Sequence, residues 1–284
     1  KRRTPIVDER LIFHKKMPVP SWIELSIIDV CNRSCVFCPK SNPLVAPDTY
    51  QQMENSLIEK LGQDLKKMGF KGSFTLCGYG EPMLHKNVNH IVKTLAKVSF
   101  VEVVTNGDTL TPKKIRDLYD SNLNKLLISL YDGPEQVEKF KEMQKTANVP
   151  EDFVILRDRW YSASEEYGLK LTNRTGTIDV GPQEKIGEHK TCFYPSYQAL
   201  IDWNGDVYLC PHDWQRKNPL GNLMQKEFFE IWTGKVYDKF RKMLFNGIRE
   251  ELPCSKCNCN GKVHGNKHLN EWLNLWNNNQ RKRA

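Results

Sequence analysis

Three closely spaced cysteines are the residues of this chain that most clearly indicate chemistry. Cys31, Cys35 and Cys38 lie in the run CNRSCVFCPK, with the spacing CxxxCxxC. Three thiolates at this spacing can hold three irons of a [4Fe–4S] cluster, which leaves the fourth iron open to another ligand. Zinc sites favour paired CxxC knuckles, and a disulfide is not expected in a chain without a signal peptide. The spacing therefore favours a cluster that can bind a second molecule, with a zinc site or a disulfide as the alternatives that spacing alone leaves open.

The aromatic Phe37, just before the third cysteine, makes this motif resemble that of the radical S-adenosylmethionine (SAM) enzymes. In that family the open iron binds the amino and carboxylate groups of SAM. The resemblance implies that one electron from the cluster cleaves SAM to a 5′-deoxyadenosyl radical, which removes a hydrogen atom from the substrate. The protein positions and shields this chemistry, which belongs to the cofactor.

A glycine-containing turn after the next predicted strand matches a second motif of the family. The run LCGYGEP resembles the GGEP motif, whose backbone contacts the methionine amino group of SAM. Gly78, Gly80 and Glu81 correspond to that motif, and Tyr79 stands where a glycine is common. Glycines at such a place allow the backbone to approach a ligand closely.

Polar residues also follow the third, fourth and fifth predicted strands. Thr105 and Asn106, in VTNG, match the third-strand motif of the family, and Ser129, in LLISLYDG, resembles a contact to the SAM ribose or carboxylate. A hydrogen bond to the backbone is the alternative role for Ser129. Arg157 can hold the SAM carboxylate or an anionic group of the substrate in a bidentate grip. The rival anion binders are Arg159 and Arg174.

Length and composition predict a globular enzyme-sized chain. The 284 residues, 39% of them hydrophobic, can form one domain with an appendage and exclude a disordered chain. No stretch approaches the roughly 18 apolar residues of a membrane helix. The net charge of +8 is dispersed, with short basic clusters at 1–3 and 281–283, and favours a solvated surface over a nucleic-acid site. Nine cysteines without a signal core favour the cytoplasm.

Strands that alternate with helices predict an α/β fold with a parallel sheet. The predicted strands are 22–29, 73–77, 101–105, 125–130, 153–156 and 175–180, and the predicted helices are 53–68, 88–98, 112–118 and 134–144. Right-handed crossovers between six such strands give a partial (β/α)6 parallel barrel, with the reacting groups at the carboxyl ends of the strands. We expect this domain at 1–185 and a small hairpin-containing domain at 186–284, with the boundary in the polar run 181–190.

Four later cysteines form a second candidate metal site. Cys192 and Cys210 flank a predicted hairpin with the pattern C-x12-G-x4-C, and Cys254 and Cys257 form a CxxC knuckle. Four such thiolates can close a tetrahedral site, and their spacing alone favours zinc. The order of the motifs resembles the SPASM region of radical SAM enzymes in its short form, called twitch. The resemblance implies one auxiliary [4Fe–4S] cluster with four protein ligands and no open iron, suited to electron transfer.

Two cysteines lie outside both ligand sets. Cys77 is expected to be a small buried hydrophobe inside a strand. Cys259 is an alternative to Cys257 as a cluster ligand, and a thiol near the radical site can also donate a hydrogen atom to a substrate radical. Cys259 and Arg157 are therefore the candidate catalytic residues.

A fully ligated second cluster favours a two-electron oxidation, because it offers the substrate radical an electron acceptor. The arrangement resembles the twitch-bearing aminocyclitol dehydrogenases, which implies oxidation of a secondary alcohol on a sugar, cyclitol or nucleotide-linked sugar. The basic charge and the arginines would suit an anionic substrate. A flavodoxin or ferredoxin-type protein is the expected reductant, and no membrane partner is expected.

Three other functions are compatible with parts of the sequence. A redox-neutral epimerase would use Cys259 or Cys77 as the hydrogen donor. An enzyme that modifies ribosomal peptides would be expected to carry a peptide-binding wing before the barrel, where only about 20 residues precede the first strand. A non-catalytic zinc protein that binds nucleic acid is the candidate from a different class, and iron analysis would distinguish it.

Overall fold

One eight-stranded sheet organises the protein. The computed structural model describes residues 3–159, 171–180, 183–187 and 190–281. The strand order is β10-β9-β8-β3-β4-β5-β6-β7, and β1 and β2 form a separate antiparallel pair. The strands are β1 (Ile12–His14), β2 (Met17–Val19), β3 (Trp22–Ser26), β4 (Ser73–Leu76), β5 (Phe100–Thr105), β6 (Lys125–Leu130), β7 (Val154–Asp158), β8 (Gln198–Asp202), β9 (Asp206–Tyr208) and β10 (Gly221–Asn222).

Four helices lie close to the positions that the hydrophobic periodicity predicts, and further helices lie elsewhere in the described chain. The first described helices are α1 (Thr4–Val7), α2 (Asn55–Lys67), α3 (Val88–Ala96), α4 (Pro112–Asp120) and α5 (Gln136–Thr146). Those after residue 190 are α6 (Tyr194–Tyr197), α7 (Phe228–Trp232), α8 (Lys235–Phe245) and α9 (Asn266–Arg281). Thr111 caps α4 by accepting the N–H of Lys114, with Pro112 at the first turn, as the sequence predicts. None of these described helices combines the length and the apolar character needed to cross a membrane.

The sixth parallel strand is β8, and the prediction of a strand at 175–180 is wrong. Arg174, Thr175 and Gly176 all have positive φ, at 46°, 58° and 84°, and form a tight turn that cannot continue an extended strand. Instead, β8 pairs in parallel with β3, on the side of β3 that β4 leaves free. The parallel part of the sheet therefore has six strands and remains open, as expected for a partial barrel.

The predicted hairpin at 200–209 is confirmed, and it is continuous with this sheet. Strands β8 and β9 pair antiparallel, with Ile201 opposite Val207. Because β8 also pairs with β3, the hairpin places the second cysteine region at a fixed position beside the parallel strands. The division into two domains at residue 185 stays a prediction.

The alternation of side chains in the parallel strands separates a hydrophobic core from a polar inner face. In β3, Ile23 and Leu25 are fully buried in the main core, with helices α2 and α3 against it. Glu24, between them, points to the other face and lines a large cavity. The same alternation in β4 places Phe74 in the core and Thr75 on the cavity wall. The sheet thus carries its polar side chains toward the candidate site.

A buried arginine organises the helices near the carboxyl terminus. The guanidinium of Arg241 lies 4.2 Å from the ring centre of Trp232 and 3.9 Å from that of Trp272. It donates to the backbone carbonyls of Pro195 and Trp232 at 2.7 and 2.8 Å. Cation–π contacts and hydrogen bonds together replace the water that this charge loses on burial.

Candidate functional site

One cavity brings together every residue predicted to hold the first cluster or SAM. The cavity has a volume of about 590 Å³ and opens where the loops after the parallel strands meet. Its lining includes the predicted cluster ligands and SAM contacts Cys31, Cys35, Cys38, Phe37, Gly78, Tyr79, Gly80, Glu81, Thr105, Asn106, Ser129 and Arg157. These residues come from five segments of the chain, and a shared cavity is what a common ligand requires.

The three cysteines of the first motif form a compact loop. The N–H of Cys38 donates to the carbonyl of Cys35 at 2.8 Å, and the N–H of Cys31 donates to Asp48 at 3.3 Å. Burial raises the pKa of Cys31 and of Cys35 to about 11. Thiols in such a place need a positive partner to become thiolates, and cluster irons supply that charge. The donor set therefore fits an iron–sulfur cluster.

Arg33, inside the cysteine motif, fastens this loop to two neighbouring loops. Its guanidinium donates two hydrogen bonds to Asp108, both 2.6 Å long, and two to Asp132, at 2.7 and 2.6 Å. Paired bidentate contacts of this kind fix geometry as well as charge. These three residues were not predicted from the sequence. Their positions between the cysteines and just after the third and fourth strands would have been the signal.

A steric contact and a backbone angle explain why the CGYGEP turn has glycine at positions 80 and 78. A Cβ at Gly80 would lie 2.3 Å from the carbonyl oxygen of Ile28, so only glycine allows this turn to lie against the segment that leads to Cys31. Gly78 has a φ of +116°, which a residue with a side chain rarely adopts. The turn is therefore held directly beside the cysteine loop.

Glu81 joins the turn after β4 to the loop after β5. Its carboxylate accepts hydrogen bonds from the Thr105 hydroxyl at 2.6 Å, the Asn106 N–H at 2.9 Å and the Met83 N–H at 3.0 Å. Burial raises the pKa of Glu81, while these hydrogen bonds oppose the rise. Asn106 also donates through its side chain to Asn32 at 2.8 Å, which links this network to the cysteine motif.

Tyr79 and the aromatic residues of the opposite loop complete the walls of the cavity. Tyr79 donates its hydroxyl hydrogen to the carbonyl of Asp213 at 2.6 Å, which ties the SAM-motif turn to the segment after Cys210. Phe37 stacks on Tyr131, with ring centres 5.8 Å apart. Ser129 forms a hydrogen bond with Tyr131, so it has a side-chain partner as well as its predicted place in the cavity.

Three arginines come from the end of the fifth parallel strand and from the turn at 174–176. Arg157, Arg159 and Arg174 all line the cavity, as predicted for anion binders. Nη1 of Arg174 lies 3.4 Å from Nδ1 of His212, a buried histidine that the sequence analysis did not single out. Burial lowers the pKa of Arg159, the positive charge of Arg174 lowers it further, and Tyr131 and Asp158 oppose this.

The second set of cysteines lines a smaller cavity beside the first. Cys192, Cys210, Cys254 and Cys257 all face it, and so does Cys259. Burial raises the pKa of Cys192 to about 11 and that of Cys259 to about 12. In the described part of the chain, no three His, Cys, Asp or Glu side chains converge closely enough to hold a single metal ion. Cysteine thiols on one cavity wall are the donor type that iron–sulfur clusters take.

Backbone contacts hold this second centre tightly. Cys192 forms a parallel bridge with Gly261, where an added Cβ would lie 2.2 Å from Sγ of Cys192. Arg249 donates to the carbonyls of Cys257 and Cys259, at 3.3 and 3.1 Å. Its positive charge lies beside the thiols and lowers the pKa of Cys257 against the larger effect of burial.

The remaining two cysteines lie in different cavities. Cys259 lines the second cavity, with its Sγ 3.3 Å from Nε2 of His212, and the N–H of Cys259 donates to Sγ of Cys257 at 3.3 Å. Cys77 lines the first cavity and forms a hydrogen bond with Glu24. Burial and the negative charge of Glu24 raise the pKa of Cys77 well above its usual value. His212 and Tyr194 line both cavities and form the wall between them.

Comparisons with known proteins agree with this arrangement. Residues 25–184 match the family model of the radical SAM superfamily, and residues 192–260 match the model of the iron–sulfur cluster-binding SPASM domain. The chain is 29% identical, over 84% of its length and 92% of the relative's, to S-adenosyl-L-methionine-dependent 2-deoxy-scyllo-inosamine dehydrogenase of Niallia circulans.

Two solved structures with bound AdoMet are also similar to this chain. A crystal structure of BtrN in complex with AdoMet and 2-DOIA is similar, with a TM-score of 0.71 and 26% identity, over 86% of this chain and 94% of BtrN. Native anSMEcpe with bound AdoMet shares the fold, with a TM-score of 0.54 and 17% identity, over 89% of this chain and 95% of the other. The cofactors of this family are SAM, the [4Fe–4S] cluster that binds it and the SPASM iron–sulfur centre, and the cysteine sets fit them. The chain therefore belongs to the radical SAM superfamily and is a radical SAM oxidoreductase with a SPASM region.

Proposed function

We propose that this enzyme oxidises a secondary alcohol of a polyhydroxylated small molecule to a ketone. The observation that carries this proposal is the wall shared by the two cavities, formed by His212 and Tyr194. An oxidation removes two electrons from the substrate, so a second redox centre must lie next to the place where the substrate radical forms. A cavity lined by five cysteines in contact with that wall meets this requirement.

Different residues would hold the two iron–sulfur clusters. When bound, the cofactors would supply removal of a hydrogen atom at the first centre and acceptance of one electron at the second, and the hydroxyl proton of the substrate would pass to water. Cys31, Cys35 and Cys38 would hold the SAM cluster, while Glu81 fixes the loops that contact SAM. Cys192, Cys210, Cys254 and Cys257 would hold one auxiliary [4Fe–4S] cluster, with four ligands and no open iron.

The substrate we propose is a sugar, a cyclitol or a nucleotide-linked sugar. Support comes from the relative in Niallia circulans, which is named for its dehydrogenation of 2-deoxy-scyllo-inosamine. Arg157, Arg159 and Arg174 on the cavity wall favour an anionic substrate. A flavodoxin or ferredoxin would deliver electrons to the SAM cluster. The nine cysteines are all free of disulfides, which suits the reducing cytoplasm.

A radical epimerase is the second candidate, and the position of Cys77 favours it. The Cys77 thiol lines the SAM cavity, and its raised pKa keeps the S–H group protonated. A protonated thiol is the form that can return a hydrogen atom to a substrate radical. Turnover in deuterium oxide separates the two functions, because the epimerase incorporates solvent deuterium into its product and the dehydrogenase produces a ketone.

The first test is the iron and sulfide content after anaerobic reconstitution. The wild type is expected to hold about eight irons per chain, and the variant with Cys31, Cys35 and Cys38 all replaced by alanine about four. The same variant should no longer cleave SAM with dithionite as reductant. About four irons in the wild type and none in the variant would remove the electron acceptor and contradict the dehydrogenase function.

A further inference from the structure

The amino-terminal segment places an arginine inside the active-site cavity. Arg3 lines the same cavity as the cluster cysteines, although the basic cluster at 1–3 suggested a solvated surface. Its guanidinium stacks on Trp22 at 4.4 Å from the ring centre. Among the residues that the structure describes, none accepts a hydrogen bond from this guanidinium. Arg3 is therefore a charged part of the cavity wall.

Contacts with the carboxyl-terminal part of the chain hold this segment in place. Asp8 accepts hydrogen bonds from the N–H of Gly265 at 2.7 Å and from Nδ1 of His264 at 2.8 Å. The carbonyl of Val7 is 2.9 Å from Nε2 of His268, and the Val7 side chain is fully buried. Helix α1 begins directly after Arg3, so these contacts at its far end fix the position of the arginine.

Arg3, Arg159 and Arg174 together give the cavity wall an excess of positive charge. Arg3 and Arg174 both act on the buried carboxyl of Glu24, and Arg174 acts in turn on Arg159. Glu24 thus offsets charge at Arg3 and Arg174, and Asp158, exposed at the end of β7, offsets part of the charge of Arg159. Burial raises the pKa of Glu24, which weakens its negative charge further. Charges in such a cavity require an opposite partner.

Other charged side chains of the cavity already have partners, Arg157 among them. Arg33 is bound by two aspartates, and Lys40 forms an ion pair with Asp48. Glu81 accepts hydrogen bonds from Met83 in its own turn and from Thr105 and Asn106 after β5. Three arginines against the carboxyl groups of Glu24 and Asp158 therefore leave an excess of positive charge at Arg3, Arg159 and Arg174, which an anionic group of a ligand would balance.

We propose that Arg3 is a substrate-binding residue and that, with Arg159 and Arg174, it holds a phosphate-ester group of the substrate. A phosphate ester carries up to two negative charges and accepts bidentate hydrogen bonds from guanidinium groups, which match it in shape. The inference rests on the proposed function, because it identifies the charged part of the same alcohol substrate. Sugar phosphates and nucleoside diphosphate sugars share this chemistry.

Binding to the SAM-loaded holoenzyme tests the proposal without turnover. Glucose, glucose 1-phosphate and UDP-glucose are titrated anaerobically, with dissociation constants measured by equilibrium dialysis. We expect at least one phosphorylated probe to bind about 10-fold or more tightly than glucose, with affinity that falls as salt is added. The probe that binds more tightly distinguishes a sugar phosphate from a nucleotide-linked sugar. Equal binding of all three probes would overturn the proposal.

Variants of the segment assign the effect to Arg3. Arg3→Gln is expected to weaken binding of the phosphorylated probe about 10- to 100-fold and to leave binding of glucose unchanged. Arg10→Gln, at an exposed arginine of the same segment, is the matched control and should bind as the wild type does. Asp8→Ala should weaken binding in the same direction, and the double variant with Arg3→Gln should lose little more.

Two further measurements distinguish a loss of binding from a loss of folding. Thermal unfolding of each variant shows whether the loss of affinity reflects a loss of folding, and Arg3→Lys, which keeps the charge, should bind more tightly than Arg3→Gln. Phosphate-ester affinity that does not change in Arg3→Gln would refute the role of this residue. If the phosphorylated probes bind as expected but no ketone forms from any alcohol, the anion site stands and the proposed dehydrogenation fails.

Discussion

Replacing Gly261 by alanine is expected to remove the auxiliary cluster and to leave the SAM cluster in place. The added Cβ would lie 2.2 Å from Sγ of Cys192 and 2.8 Å from its Cα. Non-bonded heavy atoms prefer about 3.5–4.0 Å, so the two residues must separate by about 1 Å or more. Metal ligands tolerate displacements of only about 0.2 Å. Cys192 therefore cannot keep its place as a ligand.

The fold should survive this substitution. Overpacking typically costs about 1–3 kcal/mol, against a stability of about 5–15 kcal/mol for a native protein. The backbone of Gly261 has no positive φ, so an alanine causes no strain apart from the contact with Cys192. Its carbonyl can still accept the hydrogen bond from Phe193. The expected defect is thus specific to the second centre.

Iron and sulfide analysis with electron paramagnetic resonance of the reconstituted variant measures this defect. About eight irons per chain in the wild type should fall to about four in Gly261→Ala, while cleavage of SAM by dithionite continues and ketone formation stops. Gly62→Ala is the matched control, because its Cβ would meet nothing closer than Thr94 at 3.5 Å. It should keep both clusters and gain up to about 1 kcal/mol of stability from its helix. A folded Gly261→Ala variant with about eight irons would refute the reasoning.

Three further predictions concern single side chains. Cys257→Ala should lose the auxiliary cluster, whereas Cys259→Ala should keep it, and iron counts that reverse this order would make Cys259 the ligand. Glu81→Gln should weaken SAM binding and lower the unfolding temperature, because both carboxylate oxygens accept backbone N–H groups and the amide leaves one of them unpaired, at about 1–3 kcal/mol. Burial raises the pKa of Asp213 to about 6, so the stability that its neutral form provides below about pH 4 is lost as the pH rises through 6. Asp213→Asn should therefore exceed the wild type in free energy of unfolding by about 2–3 kcal/mol at pH 7 and match it near pH 4; an equal difference at both pH values would contradict this cause.

The local sequence was sufficient to predict the strands and helices whose hydrophobic residues recur at a regular spacing. The strand 125–130 agrees with β6 residue for residue, and the predicted starts of α3 and α4 agree with the structure. Each of these elements has one apolar side that must be buried. The regular spacing of apolar residues close together in the chain reveals that side. The prediction at 175–180 failed because short apolar stretches do not reveal backbone conformation, here the left-handed turn at Arg174–Gly176.

The spacing of the first three cysteines by itself predicted an iron–sulfur cluster with an open iron. Cys31, Cys35 and Cys38 are ligands in one loop, so covalent distance along the chain already limits what they can hold. The order of the later motifs likewise indicated SAM binding and a second cluster, and the family models agree. Such motifs can be recognised in the sequence because each depends on a few adjacent residues.

Only the tertiary structure decided which distant residues share the site. The pairing of β8 with β3 brings the second cysteine set beside the first cavity, and Arg33 joins three loops through Asp108 and Asp132. Arg3 looked like part of a solvated basic end, yet packing of the amino-terminal segment against residues 264–268 carries it into the cavity. These contacts depend on the burial of surfaces far apart in the chain, and no local pattern encodes which surfaces meet.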